Sequence, residues 1–147
     1  MKLEEHYRRL EKMYLAAPIN EFYHPVIHVE QGKSTIEIQV SEKYHHAAGA
    51  VHGSVYFKML DDAAFFAANS LEQKVFVLTT SFTTYLTRPV SSGKMRSEGR
   101  VVNQNKSQFI VESVVYDQQN REIGRGSGVF VRGKVNLEDA AGYPDTL

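Results

Sequence analysis

The chain has 147 residues, of which 42% are hydrophobic and 11% aromatic, and this size and composition predict one domain with a substantial core. Its 17 lysines and arginines balance its 17 aspartates and glutamates, so no net charge attracts nucleic acid or a membrane surface. The absence of cysteine excludes disulfides, thiolate metal sites and a cysteine nucleophile.

The first predicted element is a short amphipathic helix over about residues 2–14. Apolar residues recur there at helical spacing among charged ones, and Pro18 closes the run. We expect this helix to cover one edge of the domain rather than to gate a substrate. The charged start of the chain contains no apolar segment long enough for a signal or a membrane span, so we expect a cytoplasmic protein without a membrane partner.

A hairpin and one long helix follow. Between about residues 26 and 40, two strand-like runs flank Gln31-Gly32-Lys33, with apolar and polar residues alternating. The run over about residues 53–70 is apolar on nearly every side, and a helix of this kind is buried by the rest of the fold.

Four further strands complete the predicted fold. Strand-like stretches separated by short polar turns lie near residues 75–87, 96–103, 108–116 and 123–132. Strands joined by such short turns run antiparallel. The predicted fold class is therefore α+β, with a curved antiparallel sheet wrapped around one long central helix. We expect a single domain over residues 1–147, with a polar and frayed tail from about residue 135.

Two adjacent carboxylates, Asp61 and Asp62, stand in the middle of the apolar helix, where an acid is costly unless it is paired or used. Lys58 lies one turn before Asp62 and can neutralise it. Asp61 is thereby left as the better catalytic candidate, and its burial should raise its pKa above the ordinary value. The alternative is a structural Asp61 that only accepts hydrogen bonds from a neighbouring strand.

The start of the same helix is a candidate site for a developing oxyanion. The first turn of a helix presents unpaired N–H groups at the positive end of the helix dipole. Gly53 has no side chain to keep a substrate carbonyl away from its N–H. A plain tight turn is the alternative for Gly53, and a helix cap or a hydrogen-bonding strut is the alternative to a catalytic base for His52.

Spacing disfavours several other kinds of chemistry. Six histidines occur, but none pairs with an acid in the H-E-x-x-H pattern, and the side chains of adjacent His45 and His46 diverge. No G-x-S-x-G elbow or phosphate-binding glycine loop is present. We therefore expect no metal and no cofactor.

These segments together resemble the signature of the PaaI-like hotdog thioesterases. The family pattern is His-Gly-Gly, an aspartate nine residues after the histidine, and Asn-Ser eight residues after the aspartate. The corresponding residues here are His52-Gly53-Ser54, Asp61 and Asn69-Ser70. The segment from Tyr85 to Val90 is similar to the family's aromatic strand end followed by Arg-Pro. The resemblance covers roughly residues 40–132 and implies the hotdog fold.

The resemblance also implies an activity and catalytic roles. The implied reaction is hydrolysis of an acyl thioester of coenzyme A (CoA) or of acyl carrier protein. Asp61 would be the base or nucleophile, Gly53 the main oxyanion donor through its N–H, and His52 the residue that holds the loop. Ser54 replaces the family's second glycine and His46 replaces its frequent asparagine, so the detailed oxyanion geometry stays open.

Further positions are expected to bind substrate. Family members carry a polar strand residue that helps to orient water, and it falls here within residues 79–83, where Thr80 and Ser81 are the candidates. Surface candidates for the CoA phosphates are Arg88, Lys94, Arg96 and Arg125. The full set of predicted substrate-binding residues is Ser54, His46, Asn69, Thr80, Ser81 and Arg88. Aromatic residues of the central helix suggest an apolar or aromatic acyl group.

Two other hotdog functions are alternatives. One is an acyl-CoA-binding domain without turnover, of the kind fused to a DNA-binding module, but no basic recognition helix is present. The other is a dehydratase or hydratase, which pairs a histidine with an acid on separate elements, unlike His52 and Asp61.

The predicted site needs a second subunit. Gly53 and Asp61 are eight residues apart on one helix, which separates them by about 12 Å along the axis. We therefore expect a homodimer or homotetramer with an active site shared between subunits, which is how the resembled family assembles.

Overall fold

The computed structural model describes residues 1–145, and the predicted α+β fold is confirmed. The helices are α1 (Leu3–Ala16), α2 (Asn20–Tyr23) and α3 (Gly53–Ser70). The strands are β1 (Val26–Glu30), β2 (Lys33–Gln39), β3 (Val75–Leu86), β4 (Lys94–Gln104), β5 (Phe109–Tyr116) and β6 (Glu122–Asn136). In the described part of the chain, no helix combines the length and the apolar content needed to cross a lipid bilayer.

The sheet and α3 form the centre of the fold. Six antiparallel strands lie in the order β1-β2-β4-β5-β6-β3, and α3 contacts every one of them. The helix lies directly on β4, because a Cβ at Gly99 would be only 2.3 Å from the Ala63 carbonyl oxygen. On either side, the hydroxyl of Ser34 donates to the carbonyl of Ala63 and the hydroxyl of Ser113 donates to that of Leu60. These contacts therefore fix the distance of α3 from the sheet and the rotation of the helix about its own axis.

Strand β3 forms one edge of the sheet. It pairs with β6 on one side only, and the pairing shifts register between Thr79 and Ser81. Three large apolar side chains on this strand, Leu78, Tyr85 and Leu86, are about half exposed or more. Within the described residues, the outer backbone groups of β3 have no strand partner, and such an edge is a template for pairing with another chain.

The two ends of the chain pack together. The ring of His6 is fully buried, and its Nε2 donates to the Asn69 carbonyl at 2.8 Å, which leaves Nδ1 to accept from the Tyr143 hydroxyl at 2.9 Å. Leu137 and Tyr143 are buried as well. These two side chains therefore anchor part of the polar segment that the sequence predicts to be frayed. Thr146 and Leu147 lie outside the described residues.

Candidate active site

Asp61 lies on the face of α3 that meets β3. It is partly buried, and the Thr79 hydroxyl donates to its Oδ1 at 2.9 Å. Burial raises the pKa of Asp61 to about 6, against the opposing effect of the Thr79 hydrogen bond, while the charge of Asp62 adds to the rise and that of Lys58 reduces it. The direction is the one predicted from the sequence. A carboxylate of this kind is ionised at neutral pH and is still basic enough to take a proton.

Asp62 lies in a different environment, on the face of α3 that meets α1. Its Oδ2 pairs with the Lys58 ammonium, as the spacing predicts, and also accepts from the Tyr14 hydroxyl at 2.7 Å. The Lys58 ammonium lies 5.1 Å and 5.0 Å from the ring centroids of Tyr14 and Tyr23. The side chains of Lys58 and Asp62 are only 13% and 20% exposed. The pair is thus part of a partly buried cluster and not an exposed surface contact.

His52 caps the start of α3. Its Nδ1 accepts from the Ser54 N–H at 3.0 Å, and the Ser54 hydroxyl lies 2.8 Å from the same nitrogen. The backbone N–H of His52 donates to the Tyr44 carbonyl, and this hydrogen bond fixes the loop before the helix. Because Nδ1 is used as an acceptor, the neutral ring carries its proton on Nε2. Within residues 1–145, no group of three or more histidine, aspartate or glutamate side chains is placed so that it could hold a metal ion.

Gly53 is the first residue of α3. Among residues 1–145, no backbone or side-chain acceptor is bonded to its N–H, as is usual for a first helical turn. Leu86, at the end of β3, lies close by, since a Cβ at Gly53 would be 3.0 Å from Leu86 Cδ1. The Gly53 N–H is therefore not used by the described part of the fold, and its role as an oxyanion donor stays a prediction.

Two further candidates lie near the start of α3. The His46 Nδ1 accepts from the Ala48 N–H inside the short loop that leads to the helix. The carbonyl of Arg88 accepts from the Tyr56 hydroxyl at 2.8 Å, which holds the segment after β3 against the first turns of α3. The Arg88 side chain is exposed and makes no ion pair with the acids of residues 1–145. It is therefore free to meet an anionic ligand there.

The structure does not support a substrate-binding role for Asn69. This residue is fully buried, and its amide group donates to the carbonyls of Glu72 and Val75. Its Oδ1 accepts from the Val77 N–H at 3.0 Å. The hydrogen bonds of its side chain therefore join the end of α3 to the start of β3, and a substrate-binding role for Asn69 stays a prediction.

The polar strand residue at Asp61 is Thr79, not Thr80 or Ser81. Thr79 shares a side of β3 with buried Val77, which faces α3. The irregularity between Thr79 and Ser81 turns the Thr80 hydroxyl to the Val129 carbonyl on β6. Period-two alternation from Val77 favours Thr79, Ser81 and Thr83 equally, so the sequence alone does not select Thr79.

The two proposed catalytic positions lie at opposite ends of one stretch of β3. Thr79 contacts Asp61 and Leu86 lies against Gly53, so β3 runs alongside α3 in the opposite direction. The helix is continuous between Gly53 and Asp61, and eight residues at 1.5 Å each separate them by about 12 Å. One chain therefore holds both groups but does not bring them together.

The sequence is similar to a known family and to curated relatives. The family model described as the thioesterase superfamily matches residues 48–123, which include both Gly53 and Asp61. A candidate esterase of Saccharolobus solfataricus is 25% identical over 103 residues, covering 70% of this chain and 69% of the relative. A second candidate esterase of the same organism is 21% identical over 139 residues, covering 92% of this chain and 95% of the relative.

Solved structures share the fold. The E. coli PaaI protein from the phenylacetic acid degradation operon superposes with a TM-score of 0.82 at 17% identity, over 90% of this chain and 96% of that protein. A mutant of the phenylacetic acid degradation protein PaaI from Thermus thermophilus superposes with a TM-score of 0.72 at 18% identity, over 79% of this chain and 99% of that protein. The shared fold is the hotdog fold that the sequence predicts.

Proposed function

The chain belongs to the thioesterase superfamily, among its PaaI-like hotdog members, and we propose that it hydrolyses acyl thioesters of coenzyme A or of acyl carrier protein. Membership indicates thioester or ester hydrolysis in general. The observation that supports the finer proposal is the partly buried Asp61 carboxylate, whose pKa is about 6 and whose geometry is fixed by Thr79.

The proposed chemistry needs an ionised Asp61. In one route its carboxylate attacks the thioester carbonyl carbon, the thiolate leaves, and water then hydrolyses the resulting anhydride. In the other route Asp61 takes a proton from a water molecule, which attacks the carbonyl, and the proton passes to the departing thiolate. Either route converts thioester and water into free acid and thiol. The Gly53 N–H would stabilise the oxyanion that develops on the carbonyl oxygen.

We propose that a second copy of the chain completes the site. An oxyanion held about 3 Å from the Gly53 N–H is too far from Asp61 of the same helix for attack, directly or through one water. If the outer edges of two β3 strands pair antiparallel about a two-fold axis, the Thr79 end of one strand meets the Leu86 end of the other. Asp61 would then lie close to Gly53 of the partner subunit, and a tetramer of two such dimers would keep the same arrangement.

Arg88 is the proposed contact for the CoA phosphates. It lies beside the start of α3, where the thioester carbonyl would bind. Arg96 and Arg125, by contrast, pair with Glu98 and Glu122. Because an arginine without an acidic partner keeps all of its N–H donors for a phosphate, Arg88 is a better candidate than Arg96 or Arg125.

The test is a hydrolysis assay with a panel of acyl-CoA thioesters, in which a thiol-reactive chromophore measures released CoA. We expect turnover by the wild-type chain and only background release by Asp61→Asn. Tight acyl-CoA binding without thiol release would instead favour an acyl-CoA-binding domain. Hydration of an enoyl-CoA without thiol release would favour a hydratase, and cleavage of oxygen esters alone would favour an esterase.

A further inference from the structure

A cleft of about 340 Å³ opens beside Asp61. It is bounded by α1 and the segment that follows it, by the middle of α3 and by the start of β3. Its volume is near the lower end of the range of about 300 to 1,000 Å³ that is usual for small-ligand sites. The cleft is therefore large enough for an organic group of moderate size.

The polar and apolar parts of this cleft are separated along α3. Asp61 and Thr79 meet at one position. One helical turn further on, Phe65 packs against Phe76 with ring centroids 4.9 Å apart, and against Phe66 at the same distance. The step from Asp61 to Phe65 is about 6 Å along the axis. The cleft thus leads from the carboxylate into a cluster of aromatic rings.

The wall opposite α3 comes from the N-terminal helix. Met13 and Tyr14 of α1 line the cleft, and so do Ala17 and Ile19 in the segment just after the helix. The Tyr14 hydroxyl donates to Asp62, and its ring meets Phe66 edge-on at 4.9 Å. At its other end α1 is fixed by buried His6, which donates to a carbonyl at the end of α3. Because α1 is held to α3 at two points, this wall has a defined position.

We propose that the cleft binds the acyl group of the substrate and that α1 sets the acyl length the enzyme accepts. The inference rests on the proposed thioesterase activity, since it places the thioester carbonyl at Asp61. An acyl chain that extends from that carbonyl into the cleft meets only apolar side chains beyond Asp61 and Thr79 on the β3 side. The ligand class is an apolar acyl group longer than acetyl. The N-terminal helix then determines specificity, beyond covering an edge as its sequence suggests.

The expected consequence is a chain-length profile. Each methylene that enters an apolar site strengthens binding roughly fourfold, until the site is full. Values of kcat/KM should rise from acetyl-CoA through butyryl-CoA to octanoyl-CoA and should fall for palmitoyl-CoA, whose chain exceeds a cleft of this size. A polar acyl group of matched length, such as succinyl against butyryl, should be a poor substrate because the cleft offers its carboxylate no cation beyond Lys58, which is already paired.

The variant Ala17→Phe fills the cleft from the α1 side. We expect the ratio of kcat/KM for octanoyl-CoA to that for acetyl-CoA to fall about tenfold or more. The matched control is Leu15→Phe, which adds a phenyl ring two residues earlier, at a position of α1 that is 51% exposed and does not line the cleft. The control should leave the ratio unchanged, so a general effect of an added aromatic ring would be recognised.

A binding measurement separates this inference from the proposed activity. Calorimetric titration of octanoyl-CoA and of free CoA into Asp61→Asn chains measures the affinity for each ligand in the absence of turnover. We expect Ile19→Glu in that background to weaken octanoyl-CoA binding about tenfold or more and CoA binding little, whereas Leu15→Glu should change neither. Ile19 is 58% exposed, so the substitution should not disturb folding.

The two failures then look different. Absence of hydrolysis with every thioester would defeat the proposed activity, while the titrations would still show whether the acyl group enters the cleft. An unchanged octanoyl-to-acetyl ratio in Ala17→Phe, or an unchanged octanoyl-CoA affinity in Ile19→Glu, would overturn the inference even if the wild-type enzyme is active.

Discussion

The first turn of α3 and its middle turn carry the two halves of the proposed site, and the two turns differ in burial and in hydrogen bonding. At the first turn, Gly53 has an N–H without a partner among residues 1–145, and the side chain of His52 accepts from the next N–H, that of Ser54. At the middle turn, Asp61 is partly buried against β3, with a raised pKa and one hydrogen-bond donor.

The difference shows what each half needs. An oxyanion donor works when its N–H is open to the substrate, because the charge it stabilises arrives with the substrate. A catalytic carboxylate works when burial has made it more basic, which requires packing around it. Packing and access are thus provided about 12 Å apart on one helix, so the proposed reaction would require a second chain to bring the two groups together.

The largest expected effect is on the middle turn. Asp61→Asn keeps the shape of the side chain and its capacity to accept from Thr79, but it removes the base or nucleophile. We expect kcat/KM to fall by about a thousandfold or more. The matched control is Asp62→Asn, which should retain activity within about tenfold because Asp62 is bound to Lys58 and Tyr14. If the two variants exchanged behaviour, the assignment of faces on α3 would be wrong.

The next effect is on the first turn. Gly53→Pro removes the N–H, and the preceding residue His52 already has the extended backbone (φ −63°, ψ 143°) that a following proline requires. We expect kcat to fall about a hundredfold. Gly53→Ala places the same Cβ against Leu86 but keeps the N–H, so it should be far more active. Equal losses in the two variants would indicate crowding at Leu86 rather than a lost donor.

A smaller effect concerns pH. Because the reaction needs ionised Asp61, kcat/KM should decline as the pH falls through about 6. The Thr79 hydroxyl favours the ionised form, so Thr79→Val should move this acid limb to higher pH, while Thr80→Val should not, since the Thr80 hydroxyl faces β6. The measurement is a pH profile of both variants. An acid limb that stays in place in Thr79→Val would argue against Asp61 as its origin.

The smallest effect is on stability. The pKa of Asp61 is higher in the folded chain than the value of 3.8 expected when the chain is unfolded. The free energy of unfolding therefore decreases as the pH rises from about 4 to about 6, and this loss of stability stays constant at higher pH. Asp61→Asn removes this cost. Because Asp61 is partly exposed, we expect the free energy of unfolding of the Asp61→Asn variant to exceed that of the wild type by only roughly 1 kcal/mol at neutral pH. The gain should vanish below about pH 4, and thermal unfolding at both pH values measures it.

Much of the framework follows from the sequence alone. The run over about residues 53–70 is apolar on nearly every side, and α3 spans Gly53–Ser70. The four-residue spacing of Lys58 and Asp62 predicts their ion pair, which leaves Asp61 as the unpaired acid. These features depend on local spacing, and helix geometry turns local spacing into contacts.

Features that depend on distant elements do not follow in the same way. The strand irregularity after Thr79 changes which hydroxyl faces α3, and residues 79–83 contain several equivalent candidates. The amphipathic pattern of α1 shows that one face is buried, but not that Tyr14 reaches Asp62 or that the helix lines a cleft. Asn69 carries the family pattern, yet its hydrogen bonds are all structural.

The most direct test of the shared site is complementation between two inactive variants. Asp61→Asn chains and Gly53→Pro chains are unfolded together and refolded as a mixture, and thioester hydrolysis is measured. Each mixed dimer would join Asp61 of one chain to Gly53 of the other, so activity should return to about a quarter of the wild-type value per chain. If the mixture stays inactive although native mass spectrometry shows mixed dimers, the two halves of the site do not meet across subunits.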